Sequence, residues 1–228
     1  MTVLLVVAKA PVPGTVKTRL CPPVTPRRAA RIAAAALRDT LDAVAATADV
    51  TPALALAGRL SDGVDAPGLA AATRGWTVLP QRGGDLADRL AHAHADVADA
   101  WPGRAVLQIG MDTPQLTPAR LAAAARRLAD PDTDAVLGPA VDGGWWALGL
   151  RDPRRADTLR GVPMSTADTG RLTWTALAAR GVRIAPLPVL RDVDGWDDAL
   201  AVAASSPGGR FAREVGRCRR EMLVGGRR

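Results

Sequence analysis

Tyrosine is missing from this 228-residue chain, phenylalanine occurs once, and lysine, glutamate, histidine and cysteine occur twice each. Each shortage removes a class of function. The near absence of Tyr and Phe argues against the aromatic stacking surfaces that proteins use to grip single-stranded nucleic acid. The two cysteines, Cys21 and Cys218, belong to no Cys-x-x-Cys pair, which leaves no basis for a zinc ribbon, a thioredoxin-like motif or a disulfide scaffold. They read as free thiols in a reducing compartment. His92 and His94, two residues apart on a helical stretch, point to different faces and are poorly placed to share a metal. No apolar run approaches the roughly 18 to 20 residues of a membrane span. The apolar start, Met1–Val7, is too short for a secretory signal and has no basic segment before it. The expectation is a cytoplasmic protein without a membrane partner.

What is present is a core and a charge. Hydrophobic residues make up 48% of the chain, enough for one large domain. Thirty basic residues face 23 acidic ones, a net charge of +7, which suggests an anionic partner such as a nucleotide, a phosphorylated metabolite or nucleic acid. Nearly all the bases are Arg and nearly all the acids Asp, so much of that charge reflects composition. Against this bias, both lysines, Lys9 and Lys17, stand in one short loop. Lys is a compact point charge suited to phosphate and is not interchangeable with Arg.

Apolar runs at Val3–Ala8, Asp49–Ala57, Trp76–Leu79, Ala105–Ile109, Ala135–Leu137, Trp145–Leu150 and Arg183–Leu187 predict strands. Between them, caps and helical periodicity predict helices over Pro26–Ala48, Asp85–Ala100, Thr117–Leu128, Thr166–Ala179 and Trp196–Ala204, with a short helix somewhere in Gly58–Gly75. The alternation predicts an α/β fold with a mostly parallel, doubly wound sheet, whose ligands sit beyond the carboxyl ends of the strands. A final helix, Gly208–Met222, carries Arg210, Arg213, Arg217, Arg219 and Arg220, with Arg227 and Arg228 beyond it. Its apolar stripe, Phe211, Val215, Met222 and Leu223, favours a docked helix with a solvated face over a nucleic-acid arm.

Several segments could carry chemistry. The strand-to-helix loop Lys9-Ala10-Pro11-Val12-Pro13-Gly14-Thr15-Val16-Lys17-Thr18-Arg19-Leu20 offers three cations and backbone amides to phosphates, though its glycine spacing is neither Walker A nor G-x-G-x-x-G. A rigid, solvated Pro loop is the plain alternative. Gly110-Met111-Asp112-Thr113-Pro114 puts a carboxylate at a strand end, and Asp192-Val193-Asp194 puts two on one side of an extended segment. A hard cation such as Mg²⁺ takes oxygen ligands of this kind. Each Asp could equally satisfy its own turn or cap a helix. Val141-Asp142-Gly143-Gly144-Trp145-Trp146 would let a ligand approach backbone and indole, or simply be a hairpin turn with one Trp in the core. Gln81-Arg82-Gly83-Gly84-Asp85-Leu86 leads into a helix capped by Asp85 and could contact a base or ribose, while Ser165 and Thr166 read first as helix caps.

Taken in order, Ala8-Lys9-Ala10-Pro11…Gly14…Lys17-Thr18-Arg19-Leu20, Gly83-Gly84-Asp85-Leu86…Arg89, Gly110-Met111-Asp112-Thr113-Pro114, Leu137-Gly138-Pro139…Asp142-Gly143-Gly144, Ser165-Thr166 and Asp192-Val193-Asp194 resemble a bacterial glycosyltransferase-like family of the nucleotide-diphospho-sugar transferase superfamily. A more distant likeness is to the 2-phospholactate/phosphoenolpyruvate guanylyltransferases. The resemblance covers about residues 3 to 200 and implies a GT-A fold, a Rossmann-like α/β/α sandwich. It implies a transferase domain over 1–205, followed by a basic helix over 206–228. It also implies Mg²⁺ or Mn²⁺ on Asp112, Asp192 and Asp194, and a nucleotide on Lys9, Pro11, Gly14, Lys17, Thr18, Arg19, Gly83, Gly84 and Asp85, its phosphates on the first loop. Asp142, Gly143, Gly144, Trp145, Ser165 and Thr166 would then face the acceptor, with Lys17 and Asp112 nearest the chemistry. The chain departs from the family pattern at Met111 and Thr113, where Ser is usual, at Trp145 and Trp146, where two tyrosines are usual, and at Met164, where Trp is usual. These departures flank the acceptor side.

The expected activity is nucleotidyl transfer from an NTP to a small phosphate- or phosphonate-bearing acceptor, with loss of pyrophosphate. Glycosyl transfer from an NDP-sugar is the alternative on the same fold, and a non-catalytic nucleic-acid-binding protein a remote one. The expected partners are the nucleotide and a small-molecule acceptor. Nucleic acid is disfavoured, and self-association into a homodimer is left open.

Overall fold

The computed structural model describes residues 1–225 of the chain, so Arg227 and Arg228 lie outside the described residues. Seven strands form one sheet: β1 (Thr2–Lys9), β2 (Val50–Ala57), β3 (Thr77–Pro80), β4 (Val106–Gly110), β5 (Ala135–Pro139), β6 (Trp145–Leu150) and β7 (Ile184–Pro186). Seven α-helices connect and flank them: α1 (Pro26–Ala45), α2 (Ala66–Ala72), α3 (Leu86–Ala100), α4 (Pro118–Ala129), α5 (Thr169–Ala178), α6 (Trp196–Ser205) and α7 (Arg210–Gly225). The strand order is β3-β2-β1-β4-β6-β5-β7. Every pairing is parallel except those of β6, which runs antiparallel to both β4 and β5. The exception follows from chain length. Only Ala140–Gly144 separates β5 from β6, and a parallel crossover needs a dozen residues or more.

Central strand β1 shows why the continuous apolar run was needed. Val3, Leu4, Leu5 and Val6 are all fully buried, because both faces of the sheet are covered. Leu4 and Val6 pack with Leu37 and Leu41 of α1, while Val3 and Leu5 pack with Ala93 and Val97 of α3. Three helices start where their caps predict: Thr25 accepts from Arg28 N, Asp85 from Asp88 N and Thr117 from Arg120 N, whereas α5 starts at Thr169 behind Asp168, so neither Ser165 nor Thr166 caps it. The stretch Pro153–Gly161 folds as a run of 3-10 turns that periodicity did not anticipate, opened by Asp152 accepting from Arg154 N.

The alanines of α1 let it pack on two sides. Ala33, Leu37 and Leu41 face the sheet, while Ala29, Ile32 and Ala36 meet Phe211, Val215 and Cys218 of α7. Helix α7 is therefore docked, with its first turn held by Asp39 of α1, whose carboxylate accepts from Arg210 N at 3.0 Å and Phe211 N at 2.8 Å. A Cβ at Gly209 would come within 2.5 Å of that carboxylate, so this close approach requires glycine. No helix among the described residues is long and apolar enough to cross a membrane.

Candidate active site

One cleft of about 710 Å³ opens over the carboxyl ends of β1 and β4. Two sheet rules place it there. Parallel strands end together, and the chain leaves them in loops that carry the polar groups.

The first loop supplies the cationic wall. Lys9, Lys17, Thr18 and Arg19 line the cleft. Pro11 and Gly14 do not; Pro11 is buried against Gly63, and Gly14 turns the loop at φ 82° in open space. Lys17 adopts left-handed backbone angles, φ 51° and ψ 39°, rare for a residue with a side chain. This conformation carries its ammonium inward, where the side chain is only 7% exposed. Its Nζ lies 2.6 Å from Asp112 Oδ1 and also donates to the Val193 carbonyl. Val193 N in turn donates to Asp112 O at 2.8 Å. Lys17 thus ties together the loop after β1, the loop after β4 and the segment after β7. Arg19, more exposed, pairs with Asp194. Lys9 Nζ reaches only the Thr15 carbonyl, at 3.3 Å.

The acidic wall holds Asp112, Asp142, Asp192 and Asp194. Two of these have cationic partners, Lys17 and Arg19. Asp142 and Asp192 have none among the described residues; Asp142 is engaged only by its own turn, accepting from Gly144 N at 2.8 Å. Burial and the nearby charges of Asp142 and Asp112 push the Asp192 carboxyl up to about 6, against the opposing pull of Lys17. The sequence pairs Asp192 with Asp194, but the fold brings Asp192 under the influence of Asp142 and Asp112 instead. Among the described residues no three acidic, His or Cys side chains stand close enough to hold an ion unaided.

The far wall is Trp145, Trp146, Met164, Ser165 and Thr166, with Gly144 below. Alternation along β6 divides the two indoles. Trp146 is buried and donates to Pro188 O at 2.9 Å; Trp145 stays half-buried beside the cleft and donates to Thr173 Oγ1 at 3.2 Å. Gly143 does not line the cleft but shapes it. It sits at φ 89°, and a Cβ there would lie 1.9 Å from the Ala167 carbonyl oxygen. Ser165 also holds a left-handed φ, 60°. Strain of this kind persists only where the surroundings impose it.

Gly83, Gly84 and Asp85 stand off the lining. Asp85 caps α3, Gly84 N donates to Asp88 Oδ2 at 3.1 Å, and Gly83 O accepts from Arg89 Nε at 3.3 Å. What this turn brings to the cleft is Arg89, with Leu86 and Leu90. Gln81 and Gln108 also line the cleft. Gln108 belongs to no sequence motif; its signal is that of a lone polar residue inside the buried strand Val106–Gly110.

Residues 40–166 match the family model described as an uncharacterized protein conserved in bacteria (DUF2064). The chain belongs to that family. Over 98% of its length and 95% of the other chain, it is similar to a provisionally named nucleotide-diphospho-sugar transferase from Desulfovibrio desulfuricans G20, with 26% identity and a TM-score of 0.80. A cytidylyltransferase from Leptospira borgpetersenii serovar Hardjo-bovis shares the fold at 11% identity and a TM-score of 0.59, covering 98% of this chain and 95% of that one. So does Rv0371c from Mycobacterium tuberculosis H37Rv, solved as a manganese complex, at 23% identity and a TM-score of 0.52, covering 89% and 98%. No curated protein matches the chain. The DUF2064 chain thus has the nucleotide-diphospho-sugar transferase fold that its motifs imply, in the company of transferases.

Proposed function

We propose that the protein is a metal-dependent nucleotidyltransferase, joining an NTP to a small acceptor that carries a phosphate or phosphonate. The observation that carries this reading is the presence, in one cleft, of Lys9, Lys17, Arg19 and Arg89 with four aspartates, two of which have no cationic partner among the described residues. Three phosphates match so cationic a wall better than two. An acceptor oxygen attacks the α-phosphorus in line, the bond from that phosphorus to the bridging oxygen of the β-phosphate breaks, and pyrophosphate leaves with the electron pair. No covalent enzyme intermediate is needed; the chain's part is to position the groups and compensate their charge.

The donor set fits Mg²⁺ or Mn²⁺. Asp142 and Asp192 offer carboxylate oxygens without cations, and Asp112 stands beside them. Mg²⁺ typically takes one or two carboxylates and completes its shell with water and phosphate oxygens, so it needs no ready-made three-ligand cluster, and none stands among the described residues. The ion, when bound, would draw charge from the phosphate oxygens. Lys17 and Arg19 would then turn from Asp112 and Asp194 toward phosphate, exchanging one anionic partner for another.

Pyrophosphate release is the test. The four common NTPs, with Mg²⁺ or Mn²⁺ and a panel of phosphate and phosphonate acceptors, should yield pyrophosphate with at least one pair; no release from any pair would sink the reading. The D. desulfuricans relative's name supports a second reading, glycosyl transfer from an NDP-sugar. Metal-dependent release of NDP from an NDP-sugar, without pyrophosphate from any NTP, would select it.

A further inference from the structure

Two glutamines in the cleft serve neither the phosphates nor a metal, and each has one half of its amide tied down from beneath. Gln81 follows β3, and its Nε2 donates to Ala8 O and Ala55 O, both at 2.9 Å. Both amide hydrogens are used, so a flip would set oxygen against two carbonyl oxygens. Gln81 Oε1 has no partner among the described residues and is not sealed in the interior. Gln108 is the converse. Its Oε1 lies 2.8 Å from Nε2 of His94, which is fully buried on α3. Burial lowers the His94 pKa to about 4, so the imidazole is neutral and carries one proton. His94 Nδ1 has no partner among the described residues. With the proton on Nε2, Nδ1 is a bare acceptor; the reverse tautomer would bury an unpaired N–H, the rarer arrangement. Gln108 thus accepts from His94 and keeps Nε2 as its donor, on a side chain that lines the cleft although the residue is only 2% exposed.

The cleft therefore presents one fixed acceptor and one fixed donor, both neutral, in a lining that also holds Val7, Leu86, Leu90, Arg89 and the indole of Trp145. A neutral acceptor and a neutral donor offer phosphate no compensating charge. A flat ring with a donor and an acceptor on its edges fits them, and that is how a nucleobase is read. We propose that Gln81 and Gln108 select an amino-bearing nucleobase, Gln81 Oε1 accepting from its exocyclic amino group and Gln108 Nε2 donating to a ring or carbonyl acceptor. His94 is the positioning residue that orients Gln108. This inference rests on the nucleotide reading of the cleft.

Calorimetric titration of the full chain with Mg²⁺ and ATP, GTP, CTP, UTP, ITP or inorganic tripolyphosphate tests it. An amino-bearing NTP should bind on the order of tenfold or more tightly than its counterpart without that group: ATP against its oxo analogue ITP, CTP against its oxo analogue UTP, or GTP against ITP, which lacks the 2-amino group. This arm uses the wild-type chain and needs no variant to fold. Gln81→Met should erase the difference and leave tripolyphosphate affinity unchanged, and His94→Leu should narrow it in the same way. Equal binding of amino and oxo bases, or an unchanged ranking in folded Gln81→Met, would overturn the inference and leave the nucleotide reading standing. Binding of tripolyphosphate but of no NTP would overturn both.

Discussion

Two regions of the molecule gather aspartates against basic side chains, and they end differently. On the α1–α7 flank, Asp39 receives Arg210 N, Phe211 N and Arg210 Nη1, at 3.0, 2.8 and 3.3 Å, and Arg28 pairs with Glu221 at 2.7 Å. Every carboxylate named there has its donors within the chain. In the cleft, Lys17 and Arg19 satisfy Asp112 and Asp194, while Asp142 and Asp192 are left facing one another's charge. The flank is complete as it stands, and the cleft is complete only with something added. The basic residues differ as well: both lysines of the chain are in the cleft, and the flank uses Arg alone.

The sharpest way to break this comparison is to remove one aspartate from each region. Asp112→Ala should lower the rate of transfer by about 10²–10³-fold or more, as losses of preorganised charge at a reacting phosphate do, with the fold retained. Asp39→Ala should leave kcat unchanged and cost about 1–2 kcal/mol of stability, because it uncaps α7 and strands buried donors. Pyrophosphate assays and thermal melts read both effects, and a matching activity loss in Asp39→Ala would erase the distinction.

Next in size is the core of the flank. Phe211 is 2% exposed between α1 and α7, so Phe211→Ala should cost about 3–5 kcal/mol in denaturant unfolding. Its nucleotide affinity, measured on the folded fraction, should match wild type. A loss of affinity would mean that α7 supports the cleft as well as α1.

A last effect, seen only when pH is lowered, also separates the two regions. His94 lies beneath the cleft with its pKa lowered from 6.5 to about 4, so the unfolded chain binds its proton before the folded one does. Its favourable contribution is intact above about pH 6.5 and is lost as pH falls toward about 4, amounting to about 3 kcal/mol over the full window. In His94→Leu the difference in stability between about pH 7 and about pH 4.5 should shrink accordingly. An equal acid slope in wild type and variant would place the titrating group elsewhere.

How much of this was legible depended on the range of the interaction. Apolar runs and caps located each strand and the six long helices, and short separation from β5 already required β6 to be antiparallel. The run of 3-10 turns at Pro153–Gly161 was not legible, because its mean hydropathy and spacing carry no α-helical period. The cleft loops were legible as segments and less so as residues. Gly83, Gly84 and Asp85 drew notice as a motif, yet they form the turn that places Arg89. The tie from Lys17 to Asp112 and Val193 joins residues far apart in sequence, and nothing local encodes it. Gln108 went unread because a single polar residue in an apolar run leaves the strand assignment unchanged, even though a buried amide must find partners.

The central claim is that the cleft needs a cation to complete a polyphosphate site. The direct test is the affinity of one NTP for the wild-type chain and for Asp192→Asn, measured by titration with Mg²⁺ and again with a chelator. The account predicts that removing the ion weakens wild-type binding by at least about tenfold, and that Asp192→Asn binds weakly in both conditions. Equal wild-type affinity with and without the ion, or a full Mg²⁺ enhancement retained in Asp192→Asn, would contradict it.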